Sequence, residues 1–399
     1  METVVIVDAV RTPIGRYNGA LKNVRPDDIG AAVIKALLKR NPELPPHLIE
    51  DVIMGCANQA GEDNRNVARM SALLAGLPVE TSATTINRLC GSGLDAVIYA
   101  ARAIMTGEGD IFIAGGTESM TRAPFVMAKP EASFPRGNID LLDTTIGWRF
   151  INQKMRTKYG CESMPETAEN IAKEYGISRN DQDQFAFLSQ MRAKTAVEKG
   201  VIAEEIIPVV TKDQKGNEII FMQDEHPRPT TSLERLSSLR PIFKDGTVTA
   251  GNASGVNDGA SALLMMSEAK AKELGLIPLV KYKTSAVAGV EPSIMGIGPV
   301  PASKKALARV GMSVADIDLV ELNEAFASQS IACIEKLNLD ITNVNVNGGS
   351  IAYGHPLGAS GARILTTLIH EMKRRNVETG MATMCVGVGQ GITLIAENI

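Results

Sequence analysis

The chain has 399 residues, of which 44% are hydrophobic and 22% are charged, which is typical of a globular protein with two or three domains. Forty-one basic residues against forty-five acidic ones give a net charge of -4, so we expect no nucleic-acid partner, because such binding depends on clustered Lys and Arg. No apolar run is long enough for a membrane span, and the five cysteines have no paired spacing, so we expect a cytoplasmic protein with free thiols.

Short Val- and Ile-rich runs alternate with Ala- and Leu-rich stretches through the first 120 residues. The pattern predicts strands at 3–8, 51–57, 83–87 and 111–115, and helices at 27–40, 64–75 and 91–106. Such alternation is typical of an α/β domain built around a mainly parallel sheet.

Residues 121–250 contain more Pro and Met and few buried strand runs, and we interpret them as a lid inserted over the core. Two acidic helices are predicted there, at 165–175 and 181–199. Regular alternation then resumes, with strands predicted at 261–267, 279–288, 317–322, 343–346, 381–386 and 391–396, and helices at 268–274, 302–310, 324–337 and 358–375.

Two glycine-rich turns indicate that the regular parts are two copies of one unit. The segments 91–93 and 358–361 each follow a β run and each open a helix. We therefore predict an N-terminal half of residues 1–120 plus 251–273, the inserted lid at 121–250, and a C-terminal half at 274–399. A coincidence of two common βα turns is the alternative interpretation.

Cys90 is a candidate nucleophile because it lies between a predicted strand and the first turn of a predicted helix. A helix N-terminus favours the thiolate, and Gly91 and Gly93 leave room for a substrate to reach the sulfur. A small buried residue in a tight turn is the alternative.

His355 is the candidate base, because it lies in the glycine-rich stretch 345–361 and imidazole titrates near neutral pH. The other histidines, His47, His226 and His370, fit surface or structural positions.

Two further residues lie at the carboxyl ends of predicted strands. Cys385 precedes alternating glycines that lack the βα geometry and the acidic residue of a dinucleotide fingerprint. We interpret it instead as a second thiol in a glycine-rich turn, which could carry a proton. Asn323 could cap the next helix or position a water or a carbonyl oxygen. The spacing of Cys and His shows no chelating pattern, so we expect no metal.

Four segments together resemble the thiolase family in order along essentially the whole chain. They are 87–93 (Asn-Arg-Leu-Cys-Gly-Ser-Gly), 323–326 (Asn-Glu-Ala-Phe), 345–361, and 385–391 (Cys-x-Gly-x-Gly-x-Gly). The resemblance implies a duplicated five-layer αβαβα sandwich with an inserted lid. It also implies an acyltransferase that cleaves 3-ketoacyl-CoA with coenzyme A or runs the reverse Claisen condensation.

The resemblance further implies roles for the motif residues. Cys90 would be acylated, His355 would activate its thiol and then that of coenzyme A, and Cys385 would exchange a proton with the substrate α-carbon. Asn323 would hold a water that stabilises the enolate oxygen together with His355. The backbone N–H groups of Cys90 and Gly387 would form a second oxyanion hole.

Coenzyme A would be a co-substrate, with no permanently bound cofactor. The residues that match its contacts in the family are Ser254 at the pantetheine, Arg228 near the nucleotide, and Met164, Phe243, Met295 and Phe326 along the tunnel. Because the family forms dimers and dimers of dimers, we expect a homodimer or homotetramer.

The segments 143–150 and 163–169, with Val388, look most like the 3-oxoadipyl-CoA thiolases. A dicarboxylic acyl chain needs a cation near its far carboxylate, and Arg149 is the candidate, with a surface or CoA-side position as the alternative. The open alternatives are a biosynthetic acetyl-CoA acetyltransferase, a decarboxylating ketoacyl synthase of related fold, and an inactive acyl-CoA or lipid-binding module.

Overall fold

The computed structural model describes residues 2–213 and 215–399, with helices on both faces of a large mixed sheet. The strands are β1 (Val4–Arg11), β2 (Gly15–Arg16), β3 (Asp51–Gly55), β4 (Ser82–Ile86), β5 (Ile111–Ser119), β6 (Phe125–Val126), β7 (Leu142–Asp143), β8 (Val209–Lys212), β9 (Glu218–Phe221), β10 (Asn257–Ser267), β11 (Val280–Gly289), β12 (Leu319–Leu322), β13 (Thr379–Val386) and β14 (Gln390–Asn398). The helices are α1 (Pro26–Arg40), α2 (Val67–Ala75), α3 (Ser92–Thr106), α4 (Gln153–Tyr159), α5 (Met164–Tyr175), α6 (Arg179–Glu198), α7 (Leu233–Ser237), α8 (Glu268–Glu273), α9 (Pro299–Arg309), α10 (Ala327–Leu337), α11 (Ser350–Tyr353) and α12 (Leu357–Arg375).

The strand order of the main sheet repeats itself from the centre outwards. One half runs β1-β10-β5-β3-β4 and the other runs β11-β14-β13-β12. In each half the first three strands pair antiparallel and the next pair is parallel. The halves join where β1 pairs with β11, through Val5 with Lys281 and Ile6 with Val280. The matched order confirms the predicted α/β class and its duplication.

The predicted strand at 343–346 is wrong. Only Val344 pairs there, in one parallel bridge to Val320, and residues 341–343 form a turn of 3₁₀ helix. The side chain of Asn345 replaces the backbone hydrogen bonds of a strand pair. It accepts a hydrogen bond from the Leu322 N–H at 2.8 Å and donates one to the Leu322 carbonyl at 2.8 Å. Its φ of 47° then turns the chain away, so a strand cannot continue.

The helices form layers around the two halves of the sheet. Helices α3 and α12 contact each other and lie in one apolar cluster with strands of both halves, including Leu263 of β10 and Leu394 of β14. Helices α1 and α2 pack on the N-terminal half in a second cluster, and α9 and α10 pack on the C-terminal half in a third. The sequence of layers is therefore helix, sheet, helix, sheet, helix.

Two glycines let the first turns of α3 and α12 meet. A Cβ atom on Gly93 would lie 2.7 Å from the carbonyl oxygen of Gly358, and one on Gly361 would lie 2.4 Å from the Leu94 nitrogen. Glycine at both positions permits a backbone-to-backbone contact that no other residue allows. Cys90 precedes α3 and His355 precedes α12, so this contact governs how the two turns that carry them are spaced.

Candidate functional site

A cavity of about 280 Å³ opens beside the turn that precedes α3. Its lining comes from the ends of β3, β5 and β13, from the start of α12, and from the 144–164 segment. The lining residues are Ala57, Asn58, Leu89, Cys90, Glu118, Met120, Thr144, Thr145, Ile146, Gly147, Trp148, Arg149, Glu162, Ser163, Met164, Leu357, Gly387 and Val388. Most of this wall is apolar, which suits an acyl chain, and Cys90 is its one thiol within the described chain.

Cys90 lies in a 3₁₀ turn whose backbone is strained. Leu89 has a φ of 45°, in the left-handed region that disfavours a branched side chain. Hydrogen bonds hold the turn, because Asn87 accepts the Leu89 N–H at 2.8 Å and the Ser92 hydroxyl donates to the Leu89 carbonyl at 2.6 Å. Val388 faces the same cavity with a φ of 61°, so both sides of the thiol are built from constrained backbone.

Burial raises the pKa of the Cys90 thiol to about 11, and backbone N–H groups of Gly387 and of Cys90 itself lower it in part. These donors act in the direction expected of a helix N-terminus, but desolvation outweighs them, so the net shift favours the neutral thiol. Both N–H groups thus lie near the sulfur, and a pair of such donors beside a reacting carbon can form an oxyanion hole.

His355 is 5% exposed, and its hydrogen bonds define its tautomer. The Ser360 hydroxyl donates its only proton to the Pro356 carbonyl at 2.9 Å, so it must accept from His355 Nδ1, 2.6 Å away. Nδ1 then carries the proton, and Nε2 presents a lone pair with no hydrogen-bond partner. Burial and the charge of Arg363 lower the His355 pKa to about 3, so the ring is a neutral base.

Cys385 is the last residue but one of β13 and is 2% exposed. It packs in an apolar cluster with Met295, Phe326 and, at the cluster edge, Met164. Burial raises the pKa of this thiol well above its ordinary value, and the neighbouring Cys90 sulfur raises it further. The two thiols are therefore close enough to interact, and both are protonated at neutral pH.

Asn323 is fully buried at the carboxyl end of β12. Its Oδ1 accepts a hydrogen bond from the Ser350 hydroxyl at 2.6 Å, whereas its Nδ2 has no partner. The helix-cap interpretation is wrong, because α10 begins at Ala327 with Phe326 at the N-cap position. A buried amide N–H₂ without a partner favours the second interpretation, in which Asn323 donates a hydrogen bond to a water or a carbonyl oxygen.

The residues proposed to contact coenzyme A fall into two groups. Met164, Met295 and Phe326 lie together with Cys385, and Ser254 is close by, since its N–H donates to the Ala325 carbonyl at 3.0 Å. The other two lie elsewhere. Phe243 lines a separate cavity that shares Glu162 with the first, and Arg228 is exposed on a loop.

Arg149 lines the same cavity as Cys90. Its guanidinium donates to the backbone carbonyls of Thr144 at 3.4 Å and Asn58 at 3.2 Å. Both acceptors are neutral and both contacts are long. Among the described residues, no carboxylate forms an ion pair with this half-buried cation.

Glu118 is a residue of this cavity that sequence reasoning missed. It is 2% exposed and accepts backbone N–H groups from Ala57 at 2.8 Å, Asn58 at 3.2 Å and Gly358 at 2.8 Å. Burial raises its pKa to about 7 despite these donors. It joins the end of β3 to the first turn of α12, and its only sequence signal was an acid at the end of a buried strand.

The described residues contain neither a metal-binding cluster nor a membrane-spanning helix. Over residues 2–213 and 215–399, no three His, Cys, Asp or Glu side chains cluster so as to hold a metal ion. Within the same ranges, no helix is both long and apolar enough to cross a membrane. All five cysteines are free.

Comparison with known proteins gives a consistent result. The family models "Thiolase, N-terminal domain" and "Thiolase, C-terminal domain" match residues 4–269 and 276–398. The chain is 56% identical to the 3-oxoadipyl-CoA/3-oxo-5,6-dehydrosuberyl-CoA thiolase of Escherichia coli strain K12 and 54% identical to the beta-ketoadipyl-CoA thiolase of Acinetobacter baylyi, each over 402 residues and 100% of both chains. The crystal structure of human mitochondrial 3-ketoacyl-CoA thiolase in complex with CoA has a TM-score of 0.92 at 42% identity, covering 100% of this chain and 98% of that one.

Proposed function

The chain belongs to the thiolase family, and we propose that it cleaves 3-oxoadipyl-CoA with coenzyme A. The products are acetyl-CoA and an acyl-CoA two carbons shorter. The observation that carries the choice of substrate is the guanidinium of Arg149 in the cavity that holds Cys90. The names of the relatives that are 54–56% identical point to the same substrate class.

In the first half-reaction, His355 Nε2 takes the proton of Cys90 and the thiolate sulfur bonds to the C3 ketone carbon. The alkoxide formed there accepts hydrogen bonds from the N–H groups of Cys90 and Gly387. Its collapse breaks the C2–C3 bond, and the electron pair leaves on C2 as the enolate of acetyl-CoA. The Cys385 thiol then protonates C2, and acetyl-CoA departs.

The enolate oxygen needs its own donors, since an enolate of this kind is a strong base in water. We assign Asn323 Nδ2, through a bound water, and the protonated His355 to this oxygen. The support is that these two nitrogens are buried polar atoms without partners.

In the second half-reaction the acyl group leaves Cys90. The His355 imidazolium returns its proton to the Cys385 thiolate, so that the imidazole is again a neutral base. It then takes the proton of the coenzyme A thiol, whose sulfur attacks the thioester carbon. Cys90 leaves as a thiolate and is reprotonated by His355, which completes the cycle with no net change in the enzyme.

The apolar cluster around Cys385 supports a pantetheine site beside the two thiols. We propose that Met164, Met295, Phe326 and Ser254 contact coenzyme A, since the first three pack with Cys385. We retain Phe243 and Arg228 as more distant contacts, toward the nucleotide. The CoA complex of the human relative supports coenzyme A as the ligand class.

The Arg149→Met variant tests the substrate. A guanidinium–carboxylate hydrogen bond contributes about 1.5–3 kcal/mol, so kcat/KM for 3-oxoadipyl-CoA should fall roughly 10- to 150-fold. For 3-oxohexanoyl-CoA, which lacks the far carboxylate, kcat/KM should change less than about threefold.

The matched control is Arg156→Met, which removes an exposed cation from α4 and should change neither value. Equal losses on both substrates with Arg149→Met would sink the carboxylate role. Absence of cleavage of either substrate by the wild-type chain would instead reject the thiolase reaction itself.

The lid residues of the cavity also bear on how the chain is divided into domains. We propose the half–lid–half division of the sequence, with residues 121–250 as the lid, supported by the contribution of Thr144, Arg149 and Met164 to the cavity.

We also propose a homo-oligomer, supported by the exposure of Phe125, at 65%, and Phe134, at 91%, which sedimentation analysis would test. A cytoplasmic location is proposed because both site thiols must remain reduced.

A further inference from the structure

Behind Asn323 lies a buried arginine that none of the steps above uses. Arg363 of α12 is 1% exposed, and its Nη2 donates to the Ser350 hydroxyl oxygen at 2.5 Å. Ser350 opens α11 and in turn donates to Asn323 Oδ1 at 2.6 Å. One chain of hydrogen bonds thus runs from the guanidinium to the amide at the site.

The direction of each proton in this chain is determined. A guanidinium can only donate, so the Ser350 oxygen accepts from Arg363, and its single proton is left for Asn323 Oδ1. The amide is therefore held with its oxygen toward Ser350 and its Nδ2 group away from it. That Nδ2 has no partner, although Asn323 is 0% exposed. A reversed amide would place an N–H₂ against the Ser350 proton.

Arg363 itself is poorly compensated. Its Nε and Nη1 have no hydrogen-bond partner, and the closest carboxylate oxygen, Glu321 Oε2, lies 3.9 Å from Nη1. Burial lowers the pKa of Arg363 and raises the pKa of Glu321 well above its ordinary value. A buried cation with so few partners costs stability, so the fold alone does not account for it.

We propose that Ser350 and Arg363 are positioning residues for the enolate step. Ser350 holds the Asn323 amide with its N–H₂ toward the substrate. The charge of Arg363, acting through the polarised Ser350 hydroxyl, makes that amide a stronger donor to a developing negative charge. The inference rests on the proposed role of Asn323 at the enolate oxygen.

The two half-reactions should respond differently, and that difference makes the idea testable. Acyl transfer between coenzyme A and Cys90 forms an alkoxide beside the N–H groups of Cys90 and Gly387, and no enolate. Carbon–carbon cleavage requires the enolate. Damage to the Ser350–Arg363 pair should therefore slow cleavage and spare acyl transfer.

The main variant is Ser350→Ala in the full chain, because it removes the link without leaving a buried charge. Two rates are measured: cleavage of acetoacetyl-CoA, and exchange of labelled coenzyme A into acetyl-CoA, which needs only acylation and deacylation of Cys90. We expect cleavage to fall about 10- to 100-fold, short of the ~10²–10³ for loss of a direct donor, with exchange within about threefold. Ser303→Ala is the matched control, since Ser303 is also a 0% exposed serine that bonds only other hydroxyls, on Thr383 and Thr393, and it should alter neither rate.

Arg363 is tested by Arg363→Met and Arg363→Lys, each checked by thermal unfolding. Because Arg363 also lowers the pKa of His355, the ratio of cleavage to exchange is the readout, not either rate alone. The ratio should fall with Met and recover in part with Lys. Should Ser350→Ala slow both reactions equally, or neither, the positioning role is overturned. Should Asn323→Ala cleave at the wild-type rate, the proposed function of Asn323 fails instead, whatever Ser350 does.

Discussion

The contact between the first turns of α3 and α12 makes a sharp prediction for the variant Gly93→Ala. The added Cβ would lie 2.7 Å from the Gly358 carbonyl oxygen and 2.9 Å from the Ala362 nitrogen. Ordinary van der Waals contact begins at 3.4 Å, so the two turns must separate by about 0.7 Å, the difference between 3.4 and 2.7 Å. Both neighbours are backbone atoms, so no side-chain rotation can relieve the contact.

The separation should cost both stability and activity. Overpacking typically costs about 1–3 kcal/mol, and the better helix propensity of Ala returns ~1 kcal/mol, which leaves a loss of up to about 2 kcal/mol. A misplacement of ~1 Å can cost on the order of 10² in rate, so a shift of about 0.7 Å between the turns of Cys90 and His355 should lower kcat roughly 10- to 100-fold.

Gly30→Ala in α1 is the control, because Gly30 also lies in a helix but packs against another outer helix. Its new Cβ would clash with the Ser71 hydroxyl oxygen, and neither Gly30 nor Ser71 lines the cavity. The assays are urea unfolding and steady-state cleavage for each variant. Both variants should lose stability, and only Gly93→Ala should lose kcat. A Gly93→Ala enzyme that is destabilised yet fully active would refute the link between this contact and the chemistry.

Two further predictions concern the thiols. Since burial raises the pKa of Cys90 to about 11, its thiolate fraction should rise about tenfold per pH unit below that value. Alkylation of Cys90 by iodoacetamide, measured by mass spectrometry of its peptide, should therefore accelerate steadily from pH 7 to 9. A rate that levels off toward pH 9, as a thiol of ordinary pKa near ~8.5 gives, would contradict the structure. Cys385→Ser should still acylate at Cys90 but lose carbon–carbon cleavage by about 10²–10⁴, as removal of a proton donor implies, and robust cleavage by this variant would exclude the assigned role.

Much of the fold could be predicted from the sequence because each half alternates apolar strands with amphipathic helices of ordinary length. The errors have local causes. The strand expected at 343–346 failed because Asn345 uses its side chain for bonds that a strand makes with its backbone. The helix expected at 324–337 begins later, at Ala327, because 323–325 carries the site amide and its turn.

The candidate site was predictable where glycines adjoin a reactive side chain, as they do at Cys90, His355 and Cys385. Their environments were not, because burial depends on contacts distant in the chain. Glu118 and Arg363 show the same limit, since Glu118 bonds Gly358, which is 240 residues away, and Arg363 reaches Asn323 only through Ser350. An acid at a strand end and an arginine in an amphipathic helix are common features, and only tertiary contacts distinguish these two.

The direction of the pKa shifts explains how Cys90 and His355 can be neutral in the free enzyme and still react with a substrate. With a thiol pKa of about 11 at Cys90 and an imidazole pKa of about 3 at His355, the free enzyme holds both groups neutral at physiological pH. Desolvation thus disfavours a permanent thiolate–imidazolium ion pair between these two residues. In the proposed reaction, proton transfer becomes favourable when a ketone carbon is present to bond the sulfur and two N–H groups are present to stabilise the new negative charge. A thiolate of high pKa is also a stronger nucleophile, so desolvation withholds the anion until substrate binds and then increases its reactivity.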